Sequence, residues 1–200
     1  MKRFKGKKGM ICLFILMALV IGYYYYLSNH NAPKEKEVEL TAVQDVLLRN
    51  LENDYPPTPK EVIKYYSELT KCVHNEDTTE EEMDALASKI LELYDSELAA
   101  NNPKDQFLAD LKNEVAEFKK NDYEITNYAV ASSTDVDFYE VDGYSFARLR
   151  GTYYIRVKNK VQSTKNIFLL RMDEQEHWKI YGWKQEQRKQ AETESGTESE

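Results

Sequence analysis

Residues 144–158, which read YSFARLRGTYYIRVK, decide the fold that we expect for this chain. Apolar or small side chains alternate here with polar ones, which is the period of a β-strand with one buried face. One face carries Ala147, Leu149, Gly151, Tyr153, Ile155 and Val157. The other face carries Arg148, Arg150, Thr152, Tyr154, Arg156 and Lys158. The stretch therefore predicts a long antiparallel strand that has one face in a core and one in solvent.

Further strands flank this one. Residues 123–131, 136–141, 166–172 and 177–183 are rich in β-formers, and Asp142-Gly143 is a hairpin-turn signal. The acidic turn at 173–176 predicts that the last two strands form a hairpin. We expect the sheet's part of the core to consist of Ala147, Leu149, Tyr153, Ile155, Phe168, Leu170, Trp178 and Ile180.

Four segments upstream of the strands have helical periodicity and a start signal. Thr41 with Gln44, Thr58 with Glu61, and Thr79 with Glu82 fit a hydroxyl cap followed three residues later by an acid or amide. The fourth start signal is Asn102-Pro103. Apolar stripes follow at Val43, Leu47 and Leu51, at Val62, Tyr66, Leu69 and Val73, at Met83, Leu86, Ile90, Tyr94 and Leu98, and at Phe107, Leu111, Val115 and Phe118. Four helices before a meander predict an α+β architecture, with the helices packed on a curved, mostly antiparallel sheet.

An apolar stretch follows a basic head at the N-terminus. Five basic residues lie within residues 1–9, and no Asp, Glu, Lys or Arg occurs between Gly9 and Pro33. At about 1.5 Å per helical residue, Met10 to Leu27 is long enough to cross a hydrocarbon core. The charge asymmetry predicts a transmembrane signal anchor with the N-terminus in the cytoplasm and the rest outside the cell membrane. Cleavage after the stretch is the main alternative.

These patterns divide the chain into five parts. We expect a basic cytoplasmic head at 1–9, the anchor at 10–27, a spacer at 28–37, a folded domain at 38–184 and a disordered acidic tail at 185–200. The formal net charge of −8 becomes −13 once the five basic residues of the head are set aside. Such an acidic surface is a poor partner for nucleic acid. Outside the apolar stretch Cys72 is the single cysteine, so the domain must be stable without an internal disulfide.

The order of elements and the closing motifs at 168–172 and 178–183 resemble the NTF2-like cone folds. Nearly the whole chain resembles an uncharacterised family of small membrane-anchored proteins from anaerobic Gram-positive bacteria. That resemblance rests on the segments GYYYYLSN at 22–29, YPPTP at 55–59, LYDSEL at 93–98 and WKIYGW at 178–183. It implies an extracytoplasmic NTF2-like domain and brings no activity with it.

Two groups of potential metal ligands have simpler explanations. Cys72 and His74 lie two residues apart, so they point to different sides of a helix, and we expect a buried thiol beside a surface imidazole. An acidic segment is similar to a calcium loop but lacks the required spacing, and it comprises Asp135, Asp137, Glu140, Asp142 and Gly143. We interpret this segment as a solvated strand edge and turn, and predict no metal ligand and no cofactor.

The resemblance to NTF2-like cones also implies that a pocket could hold a proton-transfer group. His177 and Asp135 are the candidates, but His177 alternates with Trp178 and Ile180 and so falls on the face opposite the expected core. We therefore predict no catalytic residue and do not expect an enzyme.

The candidate binding site is a basic and aromatic surface on the solvent face of the sheet, which we call the outer patch. Arg, Tyr and Trp are enriched at binding hot spots. The outer patch consists of Arg148, Arg150, Tyr154, Arg156, Lys179, Tyr181 and Trp183. The alternative is a solvated sheet face whose arginines and tyrosines pair with acids across strands.

The expected function is a membrane-anchored, extracytoplasmic binding or scaffold module. One form of it is an assembly component of a conjugation or secretion machine. We expect a protein partner or a second copy to dock on the outer patch, with Asp137 or Glu140 interleaved among the arginines of that copy. The rival hypothesis is a pocket that binds or converts a small apolar ligand, as an isomerase or dehydratase would, and a closed cavity with a convergent polar group would favour it.

Overall fold

The computed structural model describes residues 40–186, together with Met17 and residues 19–23. The chain divides into two compact units, Met1–Glu39 and Leu40–Glu200. In the first unit, Met17 and residues 19–23 are helical and exposed. The elements described below belong to the second unit.

Five helices precede the sheet within residues 40–186. They are α1 (Ala42–Leu47), α2 (Pro59–Asn75), α3 (Glu80–Glu92), α4 (Ser96–Ala100) and α5 (Lys104–Lys120). Thr41 and Thr79 each form a reciprocal capping box with the residue three positions later. The Thr58 hydroxyl accepts a hydrogen bond from the Glu61 amide, and Pro59 occupies the first turn of α2. These caps explain why the predicted starts of α1, α2 and α3 agree with the structure.

The five predicted strands are present. They are β1 (Tyr123–Val130), β2 (Asp137–Val141), β3 (Tyr144–Val157), β4 (Lys160–Met172) and β5 (Trp178–Gln185), with a short 3-10 helix (Ser133–Asp135) between β1 and β2. All pairings are antiparallel, in the order β1-β3-β4-β5, and β2 extends the same edge of β3 that β1 occupies. The hairpin of β4 and β5 is confirmed.

The helices cover one face of this sheet, which we call the inner face, and α2 contacts β1, β3 and β5. The predicted core residues of the sheet are buried on the inner face, except that Ile155 is half-buried. The free edge of β5 is covered by the α3–α4 connection, because the Ile180 amide donates to the Leu93 carbonyl and the Asp95 amide donates to the Ile180 carbonyl, each at 2.8 Å.

The fold class expected from the sequence, a transmembrane helix followed by four helices in an NTF2-like cone, is wrong as stated. Among the residues that the structure describes, no helix is long and apolar enough to cross a membrane. Most of the predicted anchor, the basic head, the spacer and the tail beyond residue 186 lie outside the described residues. The structure shows an α+β fold with a five-stranded antiparallel sheet.

The predicted third helix is two helices. The apolar stripe from Met83 to Leu98 suggested one continuous helix, but α3 ends at Glu92. The Asp95 side chain then accepts a hydrogen bond from the Glu97 amide and caps α4. The hydrogen bonds of residues 93–95 to β5 hold the chain out of helical geometry between the two helices, which a local periodicity does not reveal.

Candidate functional site

A cavity of about 380 Å³ lies between the helices and the inner face of the sheet. Helices α2, α3 and α5 line one side of it, and β1, β3, β4 and β5 line the other. The interior of the cavity is lined by buried side chains, among them Tyr94, Tyr153 and Phe168. Asp110, Glu114 and Trp183 are exposed lining residues and mark its rim.

Aromatic rings form much of the cavity wall. The ring centroid of Trp183 lies 5.9 Å from that of Tyr66 and 5.9 Å from that of Tyr94. The Phe168 ring meets the Tyr66 ring edge-on at 5.8 Å, and the Phe107 ring meets the Tyr94 ring in the same way at 5.9 Å. Such tilted and edge-on contacts are the favoured geometry for aromatic pairs.

Three phenol groups bring polar atoms into this aromatic wall. The Tyr153 hydroxyl shares a hydrogen bond of 3.0 Å with the buried Ser67 hydroxyl. Burial raises the pKa of Tyr94 and of Tyr153 to about 12, and raises the pKa of Tyr66 well above its ordinary value. The three phenols therefore stay protonated at neutral pH, where they act as hydrogen-bond donors or acceptors and not as bases.

His74 is the buried imidazole of the cavity. Its Nδ1 lies 2.8 Å from the Thr70 carbonyl oxygen, so Nδ1 carries the proton and donates it. Its Nε2 lies 3.3 Å from Glu114 Oε1, and this interaction holds the pKa of the Glu114 carboxyl below its ordinary value. The Phe118 ring packs edge-on against the imidazole at 4.8 Å. Both ring nitrogens are thus engaged by the protein itself.

The predicted surface position of His74 is wrong. The residue is buried because α2 presents Tyr66, Thr70, Val73 and His74 on one face at intervals of four, seven and eight residues. The sequence contained this signal, because Thr70 and His74 follow Tyr66 at intervals of four residues. Val73 falls on the same side of the helix. On α5, Glu114 lies in the same way on a predominantly apolar face. A charged residue on an apolar stripe was the second missed indication of the cavity.

The predicted pocket candidates lie elsewhere. Asp135 is exposed in the 3-10 helix, and His177 stacks on the Tyr55 ring at 4.2 Å, outside the cavity lining. Cys72 is buried, as expected, and its thiol lies 3.6 Å from the Ala42 carbonyl. Burial raises the pKa of that thiol to about 11, so it remains protonated at neutral pH.

The structure divides the outer patch between the two faces of the sheet. Trp183 was expected beside Lys179 and Tyr181, but it pairs with Phe168 on the inner face and joins the cavity wall. A β-bulge causes this change, because Leu170 pairs with Ile180 whereas Leu169 pairs with Gly182. The extra residue in β5 reverses the alternation of side chains after Tyr181.

The arginines of the outer patch have carboxylate partners within the chain. Arg148 contacts Asp137, and Arg156 contacts Glu124, in each case across a strand pair. Arg150 Nη2 lies 3.1 Å from Glu186 Oε1. These pairs are exposed, so each contributes little to stability. Tyr154 lies on the same face of β3, half-buried. Binding at the outer patch stays a prediction.

The other two residues of the outer patch belong to a second cluster, around Arg171. The Arg171 guanidinium binds both oxygens of buried Asp95, at 2.9 and 2.6 Å, and contacts Glu97 at 2.8 Å. It lies 4.8 Å from the centre of the Tyr181 ring, and the Tyr181 hydroxyl reaches Glu97 at 3.2 Å. Lys179 donates to the Glu92 carbonyl at 2.9 Å. These contacts fasten α3 and α4 to the sheet.

The fold and this cavity define a small α+β domain with an aromatic-walled interior space. The chain belongs to the family described as domain of unknown function DUF6715, which matches residues 1–183. No curated protein matches the chain. Among solved structures, the chain is similar to the NMR solution structure of the putative transfer protein TraH from the Gram-positive conjugative plasmid pIP501. The identity is 16%, the match covers 64% of this chain and 91% of that chain, and the TM-score is 0.33.

Proposed function

We propose that this domain binds a small, predominantly apolar molecule in the cavity between the helices and the sheet. The observation that carries the proposal is the cavity itself, about 380 Å³ with aromatic walls and a small number of hydroxyl-bearing side chains in its lining. Binding sites for small molecules span about 300–1,000 Å³ and combine apolar walls with few polar groups. Tyr66, Tyr94 and Trp183 supply the apolar contact area, and the phenol groups supply hydrogen bonds that orient a ligand.

The cavity favours binding over catalysis. A general base must be free to reach a substrate proton. The three phenols remain protonated, and both nitrogens of His74 already contact Thr70 and Glu114. The proposal therefore assigns recognition, and no reaction, to these side chains.

The scaffold or assembly role that we expected from the sequence is the weaker proposal. It would require the outer patch to accept a partner or a second copy. Arg148, Arg150 and Arg156 each pair with a carboxylate of their own chain, so a partner has to displace those contacts. The cavity is therefore the site that we propose.

Fluorescence titration of the full-length protein tests the proposal. The probe is N-phenyl-1-naphthylamine, an uncharged molecule of 17 non-hydrogen atoms whose emission rises in apolar surroundings. At about 0.3 kcal/mol per non-hydrogen atom, we expect saturable binding with a dissociation constant of about 0.2 mM or tighter. Trp183 lies in the wall, so its emission should be quenched by the bound probe.

Two matched variants locate the binding. Thr164 lies on the inner face beside Tyr153 and lines the cavity, and Thr164→Phe should fill part of it and weaken probe binding. Thr152 lies on the outer face of the neighbouring strand, and Thr152→Phe makes the same change there. Trp183→Phe retains Trp178 as the single tryptophan and should remove most of the quenching. Equal probe affinity in the two threonine variants, or no saturable binding by the parent protein, would refute the proposal.

A further inference from the structure

The charges around the cavity point to the class of ligand. Asp110 and Glu114 lie one turn apart on α5, both exposed and both lining the cavity. Asp110 accepts a hydrogen bond of 2.9 Å from the neutral Gln106 amide, so its charge is not balanced there. Among the lining residues in the described part of the chain, none is a lysine or an arginine. Even with His74 protonated, the two carboxylates leave the lining with a net negative charge.

The walls supply a second attraction for positive charge. The face of an aromatic ring is negative, and it attracts a cation within about 6 Å of the ring centre, most strongly for tryptophan. Trp183 is 44% exposed, and its ring adjoins the Tyr66 and Tyr94 rings in the cavity wall. Three electron-rich rings and two carboxylates therefore border one space. A neutral ligand uses the rings alone, and an anion is repelled by the carboxylates.

We propose that the ligand of the cavity is an organic cation, with an ammonium group among Trp183, Asp110 and Glu114 and an apolar body against the buried rings. This inference rests on the proposed function, because it assigns a charge to a ligand of the same cavity. The carboxylates contribute through space and need no direct ion pair. The buried interior at Tyr94, Tyr153 and Phe168 accommodates the apolar body.

The test compares ligands of one shape and different charge. Benzyltrimethylammonium has the same shape as neopentylbenzene, but a positively charged nitrogen takes the place of the quaternary carbon. Phenylacetate is an anion of related shape. Each competes with N-phenyl-1-naphthylamine for the full-length protein. We expect the cation to bind about tenfold or more tighter than the neutral compound, and the anion to bind most weakly.

Variants of α5 assign this preference to its carboxylates. Asp110→Asn should lower the ratio of cation to neutral affinity about two- to fivefold, the range for an exposed charge pair. Glu117 is an exposed carboxylate on the same helix that does not line the cavity, so Glu117→Gln is the matched control and should leave the ratio unchanged. Raising the salt concentration from about 0.05 to 0.5 M should weaken binding of the cation alone.

The outcomes separate the two proposals. Displacement of the probe by neopentylbenzene at equal or lower concentration than by benzyltrimethylammonium overturns the charge preference and leaves cavity binding intact. An equal change of the ratio in Asp110→Asn and Glu117→Gln also overturns it, because the attraction would then come from the general acidic surface. Absence of probe binding to the parent protein overturns both proposals.

Discussion

Gly151 packs directly against Phe168, a residue of the cavity wall. It lies in the middle of β3 on the inner face, and a Cβ built there would lie 2.7 Å from Phe168 Cε2 and 3.3 Å from Cδ2. Phe168 is 1% exposed, and its ring already contacts the rings of Tyr66 and Trp183. The substitution Gly151→Ala therefore forces the Phe168 ring to move, and the space into which it can move is the cavity.

Gly182 provides a control that isolates the effect of this contact. It lies in β5, and a Cβ there would meet no atom within 4 Å. Replacing glycine by alanine where the backbone permits it stabilises a protein by about 0.4–1 kcal/mol, through the entropy of the unfolded chain. That gain is common to both variants, so the difference between them is the overpacking at Phe168. Overpacking of a core typically destabilises by about 1–3 kcal/mol.

Urea and thermal unfolding measure this difference. We expect Gly151→Ala to have a free energy of unfolding about 1–3 kcal/mol below that of Gly182→Ala, and a Tm about 3–10 °C lower. Its affinity for N-phenyl-1-naphthylamine should also fall, since the displaced ring occupies part of the cavity. The additional change Phe168→Leu should reduce the penalty of Gly151→Ala, which a double-mutant cycle records as a coupling free energy. Equal stability of Gly151→Ala and Gly182→Ala would refute the reasoning.

Three further predictions concern ionisable groups. Arg171→Gln leaves the Asp95 carboxylate buried without its cation, so it should lower the free energy of unfolding, measured in urea, by about 3–5 kcal/mol. Adding Asp95→Asn to the same chain should partly reverse this loss. Burial raises the pKa of Tyr153 to about 12, so Tyr153→Phe should remove one phenol from the absorbance change near pH 12, and a loss near pH 10 would contradict this. The contact of Glu114 with His74 Nε2 holds the pKa of the Glu114 carboxyl below its ordinary value, so the stabilisation from this contact is present above the pKa of the unfolded carboxyl and is lost as pH falls through the folded pKa. The stability difference between the parent and Glu114→Gln should therefore shrink on acidification, and a growing difference would count against the contact.

Local chemistry explains what could be predicted from the sequence. The hydroxyl caps of α1, α2 and α3 satisfy amides within three residues, so their starts do not depend on the rest of the fold. Asp142 and Gly143 both adopt positive φ, at 51° and 79°, as the two-residue hairpin turn requires. The alternation of apolar and polar side chains along 144–158 predicted the buried face of β3, because successive side chains of any strand point to opposite faces.

The candidate site was harder to predict, because its residues come together from distant parts of the chain. The sequence placed Tyr66, Tyr94 and Phe107 on apolar helical faces, and each of them does face inward. Periodicity shows only that a face is covered, and does not show whether core atoms or an open space lie against it. The sequence analysis did not place His74 and Glu114 in the cavity. Each is a polar residue on an apolar helical face, and the partner with which it pairs lies 40 residues away in the sequence.

For this protein, then, the sequence by itself determined the starts of α1, α2 and α3, the presence of five strands and the buried face of β3, because hydrogen bonds and side-chain periods within a few residues control those features. Tertiary structure alone decided three others. Hydrogen bonds to β5 divided the predicted third helix at Asp95, and the bulge near Tyr181 turned Trp183 from the outer patch into the cavity wall. The cavity exists because α2, α3 and α5 and the sheet do not fill the space between them, which depends on all of their positions at once.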